Sequence, residues 1–193
     1  MKFYLPQKSH QIIKINYLMH KKLKLRVSIE TLIKEGLEFY DEKLDKDITS
    51  TSKNVKIKGF ATLKDLEKIS YWKSPRSHHH IQKNLNKTIK EITGEVLNSN
   101  SDLINLGLLL LLHGVSYPTA SAFLHFCHDL DYPIIDFRAM WSVGFDDQPK
   151  YTPELWVDYV LFTRKISKRY LIDMRTLDRA LWGYSKKYQT LKD

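Results

Sequence analysis

The chain of 193 residues has a single cysteine, Cys127, and only seven glycines and six prolines. One thiol cannot form an intramolecular disulfide, a four-cysteine zinc site or a four-cysteine iron–sulfur cluster. The longest apolar run, residues 106–112, is far shorter than the roughly 20 residues of a membrane-spanning helix. The opening residues, MKFYLPQKSHQ, lack the apolar core of a secretion signal. We therefore predict a cytoplasmic protein that does not cross a membrane and needs no cofactor or metal.

Positive charge is in excess: the chain has 31 Lys and Arg but 22 Asp and Glu, a formal net charge of +9. Residues 1–58 hold 13 basic and 7 acidic residues, so two thirds of the excess lies in the N-terminal third. A positive field of this size favours a polyanion, above all nucleic acid, as partner. The alternative is that the lysine content only reflects the amino-acid usage of the source organism.

Apolar residues recur at steps of three and four along most of the chain, and no alternating strand pattern is present. The sequence therefore predicts an all-α fold. Residues 45–59 are polar, rich in Ser and Thr and without a period, so they are the best candidate for a linker. We predict a basic N-terminal helical region at 1–58 and a helical core at 59–193, or else one integrated domain, 1–193. Two helical subdomains should enclose a cleft.

The stretch LLLHGVSYPTASAFL, residues 110–124, indicates two helices joined by a tight hairpin. Gly114 supplies unusual backbone angles, and Pro118 suits the first turn of the second helix. The leucine-rich first helix is apolar on every face, which predicts that it is buried. Backbone N–H groups and the helix dipole at the start of the second helix form an anion site that suits a DNA phosphate. The predicted phosphate-binding residues are His113, Gly114, Val115, Ser116, Tyr117 and Thr119.

An acidic residue, Asp136, follows the apolar run YPII, 22 residues after Gly114. The hairpin and this acid together resemble the helix-hairpin-helix DNA glycosylases, the superfamily that includes endonuclease III and the adenine glycosylases. The resemblance implies that Asp136 is catalytic, because a carboxylate beneath the deoxyribose stabilises the positive charge of N-glycosidic cleavage and can orient a water. A second interpretation, compatible with the first, is that Asp136 caps the helix that begins at FRAMW.

The resemblance covers about residues 103–141, and the chain departs from the family within them. Bifunctional members carry a lysine four residues after the first hairpin glycine, which attacks the sugar, but this chain has Pro118 there. Ser116 stands in place of the second hairpin glycine, Trp141 in place of a common arginine, and the iron–sulfur cysteines are absent. The resemblance thus implies a divergent, monofunctional glycosylase and does not identify its base.

Residues 71–84, YWKSPRSHHHIQKN, are unusually rich in aromatic and basic side chains. Such side chains beside a proline turn can wedge into a duplex or line the pocket of a flipped base. The alternative is a surface turn that its tryptophan anchors to the core. Three consecutive histidines cannot converge on one ion, which argues against a metal site. With two residues that follow the acid, the candidates for a base pocket or wedge are Tyr71, Trp72, Arg76, Asn84, Arg138 and Trp141.

Three functions remain open from the sequence. The first is a monofunctional DNA glycosylase that hydrolyses the N-glycosidic bond of a damaged or mismatched base, acting as a monomer on double-stranded DNA. The second is a non-catalytic DNA-binding protein of the same fold. The third is a helical protein-interaction domain whose basic charge is incidental. DNA binding that weakens with salt separates the third from the others, and base excision separates the first two.

Overall fold

A computed structural model describes residues 23–190, and every regular element in that range is helical, which confirms the all-α prediction. The first part of the predicted N-terminal region, residues 1–22, lies outside the described residues. No helix in the described part of the chain is long and apolar enough to cross a membrane. The α-helices are α1 Ile29–Leu37, α2 Lys46–Lys58, α3 Leu63–Lys73, α4 Asn86–Asn98, α5 Asp102–Leu110, α6 Tyr117–Cys127, α7 Phe137–Ser142, α8 Pro153–Tyr170 and α9 Met174–Tyr188.

Side-chain caps explain where several helices begin. Thr62 and Asp65 form a reciprocal capping box at the start of α3. Thr152 accepts the Leu155 N–H at the start of α8, where Pro153 occupies the first turn. These side chains pair with N–H groups that have no partner inside the helix. Each of these helix starts is therefore specified by residues that are close together in the sequence.

The linker prediction for residues 45–59 is wrong, because residues 46–58 form α2. The buried face of α2 includes Thr51 and Ser52 beside Ile48 and Val55. The hydroxyls of Thr51 and Ser52 donate to carbonyl oxygens of the preceding helical turn, which satisfies them inside the core. A helix whose buried face is half polar has no clear hydrophobic period, so its sequence looks like a linker.

Two groups of helices are visible in the contacts between elements. The first comprises α2 to α6: α2 contacts α3 and α6, α3 contacts α6, and α5 contacts α4 and α6. In the second, α9 contacts α1, α7 and α8. Helix α8 also contacts α5, which links the two groups. The second group therefore combines a helix that precedes the first group in the sequence with helices that follow it.

Helices α1 and α9 approach each other at the level of the backbone. A Cβ added to Gly36 would lie 2.2 Å from the Ala180 carbonyl oxygen, and one added to Gly183 would lie 1.9 Å from the Gly36 carbonyl oxygen. Both distances are shorter than a van der Waals contact allows. The two glycines therefore permit a helix crossing that no larger residue would.

The leucine-rich helix α5 is only half buried, contrary to the prediction. Leu106 and Leu109 are fully enclosed, whereas Leu103 and Ile104 are 50% and 56% exposed. Leu111, just after the helix, is 70% exposed. Helices α4, α6 and α8 cover one side of α5 only. Because α5 has apolar residues on every face, its sequence does not indicate which face is covered.

Candidate active site

Asp136 lies at the N-terminus of α7 and is only 7% exposed. Its Oδ1 accepts the Ala139 N–H at 2.8 Å, so the side chain caps α7, as the helix-capping interpretation predicts. Its Oδ2 is ion-paired with Lys73 Nζ, from the last residue of α3. Each of the two paired side chains is about one tenth exposed. The acid that the sequence singles out is therefore buried, oriented and paired.

The apolar run that leads into Asp136 is tied to two helices. The Ile134 N–H donates to Asp178 Oδ1, on α9, at 3.0 Å. The Ile135 N–H donates to the Ser121 hydroxyl, on α6, also at 3.0 Å. The carboxylate of Asp136 is thus held in place from both groups of helices.

Asp136 and Lys73 line a pocket of about 190 Å³. This is smaller than the roughly 300–1,000 Å³ of pockets that hold drug-sized ligands, and it suits a single ring system. The rings of Tyr40 and Trp182 meet edge to face with their centroids 5.6 Å apart. The lining residues are Tyr40, Trp72, Lys73, Ile134, Asp136, Ala139, Asp178 and Trp182.

A buried charge network supports the wall of this pocket. Asp45 accepts hydrogen bonds from Arg175 and Arg179, and Arg175 also donates to Asp178 at 2.7 Å. Burial alone would raise the pKa of Asp45, but the hydrogen bonds and charge of Arg175 hold it below its usual range. Burial raises the pKa of Tyr40 far above its ordinary value, and its hydroxyl donates to Asp45 Oδ1 at 2.7 Å. The wall is therefore polar and internally paired.

Residues 111–116 connect α5 to α6, with Gly114 at a positive φ of 77°. A Cβ at Gly114 would lie 2.8 Å from the Cβ of His80, so this turn packs tightly on the 3₁₀ helix His78–Lys83. Asn84 fastens it, because its Nδ2 donates to the His113 carbonyl at 2.9 Å and its Oδ1 accepts the His113 N–H at 2.8 Å. Asn84 thus holds the turn and does not line the pocket of Asp136.

The predicted phosphate-binding residues divide into exposed and buried positions. Val115 and Thr119 are 9% and 1% exposed, so their side chains face the core. The prediction rests on backbone N–H groups, and that of Val115 already donates to the Leu112 carbonyl at 3.1 Å. His113, Gly114 and Ser116 are exposed at the turn. Their backbone and side chains are the groups that a phosphate could reach.

Tyr117 and Pro118 restrict the first turn of α6. The Tyr117 ring is half-buried, with its centroid 5.9 Å from that of Tyr151. Burial raises the pKa of Tyr117, so its hydroxyl stays neutral. Pro118 has no N–H, which removes one donor from this turn. An anion would therefore depend mainly on the groups that precede α6.

Of the predicted base-pocket residues in the segment 71–84, Trp72 alone lines the pocket of Asp136. Its ring meets that of Phe126 edge to face, with centroids 5.0 Å apart. Tyr71 is 57% exposed and lies on a different surface, where its ring contacts His78. Arg76 is exposed in the turn after α3. Tyr71 and Arg76 therefore do not line this pocket, and their role as a wedge stays a prediction.

The two candidates that follow the acid differ in position. Arg138 lies over the ring of Trp182, with its guanidinium carbon 5.3 Å from the ring centroid, so it borders the pocket from outside. The guanidinium carbon of Arg26 lies 4.3 Å from the ring centroid of Trp141, which is also near Tyr184, so Trp141 does not line the pocket of Asp136. Trp141 instead helps to attach the segment before α1 to α7.

Six pocket residues do not appear among the sequence-based candidates, and besides the apolar Ile134 and Ala139 they are the polar or aromatic Tyr40, Lys73, Asp178 and Trp182. Lys73 directly follows Trp72, but its partner Asp136 is 63 residues away, so the sequence does not reveal the pair. Tyr40 follows Leu37 at a step of three residues, a spacing typical of the packed face of a helix, so its position does not mark it as a site residue. Asp178 and Trp182 are four residues apart on α9, a spacing that places both on one face of the helix.

Comparisons with protein-family models, curated proteins and solved structures give no match to this chain. Its function is therefore inferred from the geometry and chemistry of the site.

Proposed function

We propose that this protein is a DNA glycosylase that hydrolyses the N-glycosidic bond of a damaged or mismatched base in double-stranded DNA. The observation that carries the proposal is the position of Asp136, a buried carboxylate in a small, aromatic-lined pocket. The aromatic rings of the pocket suit a base that has left the helix stack, and a carboxylate at its wall suits the sugar attached to that base.

The reaction needs only groups of this chain and water. The base leaves with the electron pair of the N-glycosidic bond, and positive charge develops on the deoxyribose. The carboxylate of Asp136 stabilises this charge, and a water that it orients adds to C1′. The proton that this water loses neutralises the departed base. Stacking between the base and the rings of Trp72 and Trp182 would favour the extruded base over the paired one. The products are a free base and an intact abasic strand.

The turn between α5 and α6 is proposed to bind the phosphate backbone. His113 and Ser116 are exposed there, and the adjoining 3₁₀ helix adds the exposed side chains of His79, His80 and Lys83. The segment 71–84 contacts this turn through Asn84 and reaches Asp136 through Lys73. A strand held at the turn would therefore lie at a defined distance from the pocket. Contacts to phosphate position a protein without reading sequence.

The hairpin itself offers no amine to attack the sugar, because Pro118 stands at the position of the lysine of bifunctional family members. Water is therefore the proposed nucleophile for base removal, and on the hairpin residues alone the enzyme is monofunctional. The proposed protein acts as a monomer.

One observation favours a second candidate, a DNA-binding protein of the same fold without excision. Both carboxylate oxygens of Asp136 are engaged, one by the Ala139 N–H and the other by Lys73. An ion-paired carboxylate has little net field with which to stabilise a cation. Glycosylase chemistry thus requires that bound DNA separates Lys73 from Asp136, whereas a binding module has no such requirement.

The test is a set of duplexes that each carry one alkylated, deaminated or oxidised base, with released base measured by chromatography. The proposal predicts release of the base from at least one substrate. DNA binding without release from any duplex would contradict the glycosylase and support the binding module. No DNA binding even at low salt would contradict both and leave the interaction domain.

A further inference from the structure

We propose that the pocket of Asp136 selects a deaminated base, uracil or hypoxanthine, and that Lys73 recognises its carbonyl oxygen and stabilises the charge of the departing base. This inference rests on the proposed function and narrows its substrate from any damaged base to one chemical class. Deamination replaces the exocyclic amine of cytosine or adenine, a hydrogen-bond donor, by a carbonyl oxygen, which is an acceptor. The class of base therefore depends on whether the pocket offers donors or acceptors.

The side-chain oxygens that line the pocket already accept hydrogen bonds. Asp136 does so at both carboxylate oxygens. Asp178 accepts the Ile134 N–H at 3.0 Å and a guanidinium N–H of Arg175 at 2.7 Å. The Tyr40 hydroxyl also accepts from Arg175, at 2.6 Å. The amine of an undeaminated base would meet acceptors that are already engaged, and a buried donor without a partner is costly.

Lys73 is a lining residue with donors to spare. An ammonium group has three N–H donors, and Asp136 is its one hydrogen-bond partner within residues 23–190. The Lys73 side chain is only 11% exposed, so water competes little for the remaining donors. A base carbonyl that enters the pocket would accept a charge-assisted hydrogen bond, which is about twice as strong as a neutral one.

The aromatic rings of the pocket already have cations beside them. The guanidinium carbon of Arg175 lies 5.2 Å from the ring centroid of Tyr40 and 5.5 Å from that of Trp72. The guanidinium carbon of Arg138 lies 5.3 Å from the ring centroid of Trp182. An alkylated base such as 7-methylguanine is itself a cation, and it would enter a pocket whose rings already interact with positive charge. The pocket therefore favours a neutral base over a cationic one.

The contact between Lys73 and the base also releases the catalytic carboxylate. Lys73 is paired with Asp136 in the protein alone. A carbonyl oxygen that draws the ammonium group towards the base leaves one oxygen of Asp136 to face the sugar. When the N-glycosidic bond breaks, its electron pair goes to the base, and Lys73 stabilises the negative charge on the carbonyl oxygen without giving up its proton. The substrate itself thus separates the ion pair.

The position of a deaminated base in the duplex favours its extrusion as well. Uracil formed from cytosine lies opposite guanine, and hypoxanthine formed from adenine lies opposite thymine. A mismatched base costs less to extrude than a paired one. Thymine also has carbonyl oxygens, but it stays paired with adenine.

The test measures single-turnover base release by the full-length protein from duplexes that differ in one base. The four bases are uracil, hypoxanthine, 7-methylguanine and 8-oxoguanine, and each rate is corrected for spontaneous release. The proposal predicts that uracil or hypoxanthine is released fastest, roughly 100-fold or more above 7-methylguanine. This comparison uses the parent protein, so it does not depend on how a variant folds.

Lys73→Gln keeps a hydrogen-bond donor but removes the positive charge. It should slow the release of uracil by roughly 100-fold or more. It should slow the release of 5-fluorouracil less, because the fluorine already stabilises the departing anion. A purely structural role of Lys73 would slow both by the same factor. Lys68→Gln, at an exposed position on the same helix, is the matched control and should behave as the parent.

The outcomes separate this inference from the proposed function. Faster release of 7-methylguanine or 8-oxoguanine than of either deaminated base would overturn the selection and leave the glycosylase standing. Folded Lys73→Gln that releases uracil at the parent rate, or that slows uracil and 5-fluorouracil equally, would overturn the role of Lys73. Release from no duplex, in protein that binds DNA, would overturn both the inference and the proposed function.

Discussion

Three carboxylates around the pocket are nearly enclosed: Asp45, Asp136 and Asp178 are 5%, 7% and 6% exposed. Each has a cationic partner, but the partners differ in kind. Arg175 contacts both Asp45 and Asp178 with its planar fork, which fixes their geometry. Asp136 is paired with Lys73, a single flexible ammonium. Two of the carboxylates are thus held by arginine and support the wall of the pocket. The third, Asp136, is held by a lysine, whose single ammonium group can change partners more readily.

Asp45→Asn should lower the free energy of unfolding by about 3 kcal/mol at pH 7, because Arg175 and Arg179 lose a buried counter-charge. The pKa of Asp45 is lower in the folded chain than in the unfolded one. Its contribution is therefore present above about pH 4 and is lost as the pH falls through the folded pKa. Urea unfolding followed by tryptophan fluorescence should show a difference from the parent at pH 7 that narrows towards pH 3.

The control for this substitution is Asp147→Asn, at an exposed position, which should change stability by less than about 0.5 kcal/mol. Equal stability of Asp45→Asn and the parent at pH 7, or a difference that stays constant down to pH 3, would contradict a charge-based role for Asp45.

Among the elements, the crossing of α1 and α9 depends on two glycines, and the turn between α5 and α6 depends on another. Helix starts follow from local caps, such as those formed by Thr62 and Asp65 at α3 and by Thr152 at α8. Helix crossings depend on residues that are far apart in the chain, such as Gly36 and Gly183, and no local pattern reports them. A local pattern can also mislead. Residues 46–58 form α2 although the sequence predicts a linker there, because the buried face of this helix includes polar residues.

Gly36→Ala and Gly183→Ala should each destabilise the protein by about 1–3 kcal/mol or more, because the new Cβ meets backbone of the opposite helix. Gly107→Ala is the matched control. Gly107 is also helical, but a Cβ there meets nothing within 4 Å, so alanine should be neutral or stabilise α5 by about 0.5–1 kcal/mol. Urea midpoints measure all three. Unchanged midpoints for Gly36→Ala and Gly183→Ala would contradict the close crossing.

Gly114→Ala should weaken DNA binding to a similar degree on unrelated sequences, because it displaces a turn proposed to contact phosphate and not bases. Gly59→Ala is the control, since Gly59 also has a positive φ, of 73°, but a Cβ there meets nothing within 4 Å. Both variants bear the strain of a left-handed residue, about 1–2 kcal/mol, and only Gly114→Ala also clashes with His80. Fluorescence anisotropy with two duplexes measures the affinities. Folded Gly114→Ala that binds as tightly as Gly59→Ala would make the turn purely structural.

For the whole molecule, the pocket is assembled from residues distant in sequence. Asp136 is recognisable because a local signal, the apolar run and the following helix start, surrounds it. Other pocket residues come from separate regions: Tyr40 follows α1, Lys73 ends α3 and Trp182 lies on α9. Their proximity depends on how these regions pack against one another. The sequence thus predicted the acid and Trp72 but not the remaining walls or the partner of the acid. The net charge of +9 is a property of the whole chain. It accords with a polyanionic partner but does not identify which polyanion binds.

The most direct test of the account compares base release by the parent and Asp136→Asn on the duplex that the parent processes best. The near-isosteric amide can still accept the Ala139 N–H, so the fold and the DNA affinity should be retained. The loss of the counter-charge of Lys73 should lower the free energy of unfolding by about 3 kcal/mol, as for Asp45→Asn. Base release should fall by roughly 100-fold or more, because a preorganised charge next to the sugar is lost. Asp147→Asn should release base at the parent rate. A folded Asp136→Asn that releases base as fast as the parent would contradict the assignment of Asp136 as the catalytic carboxylate.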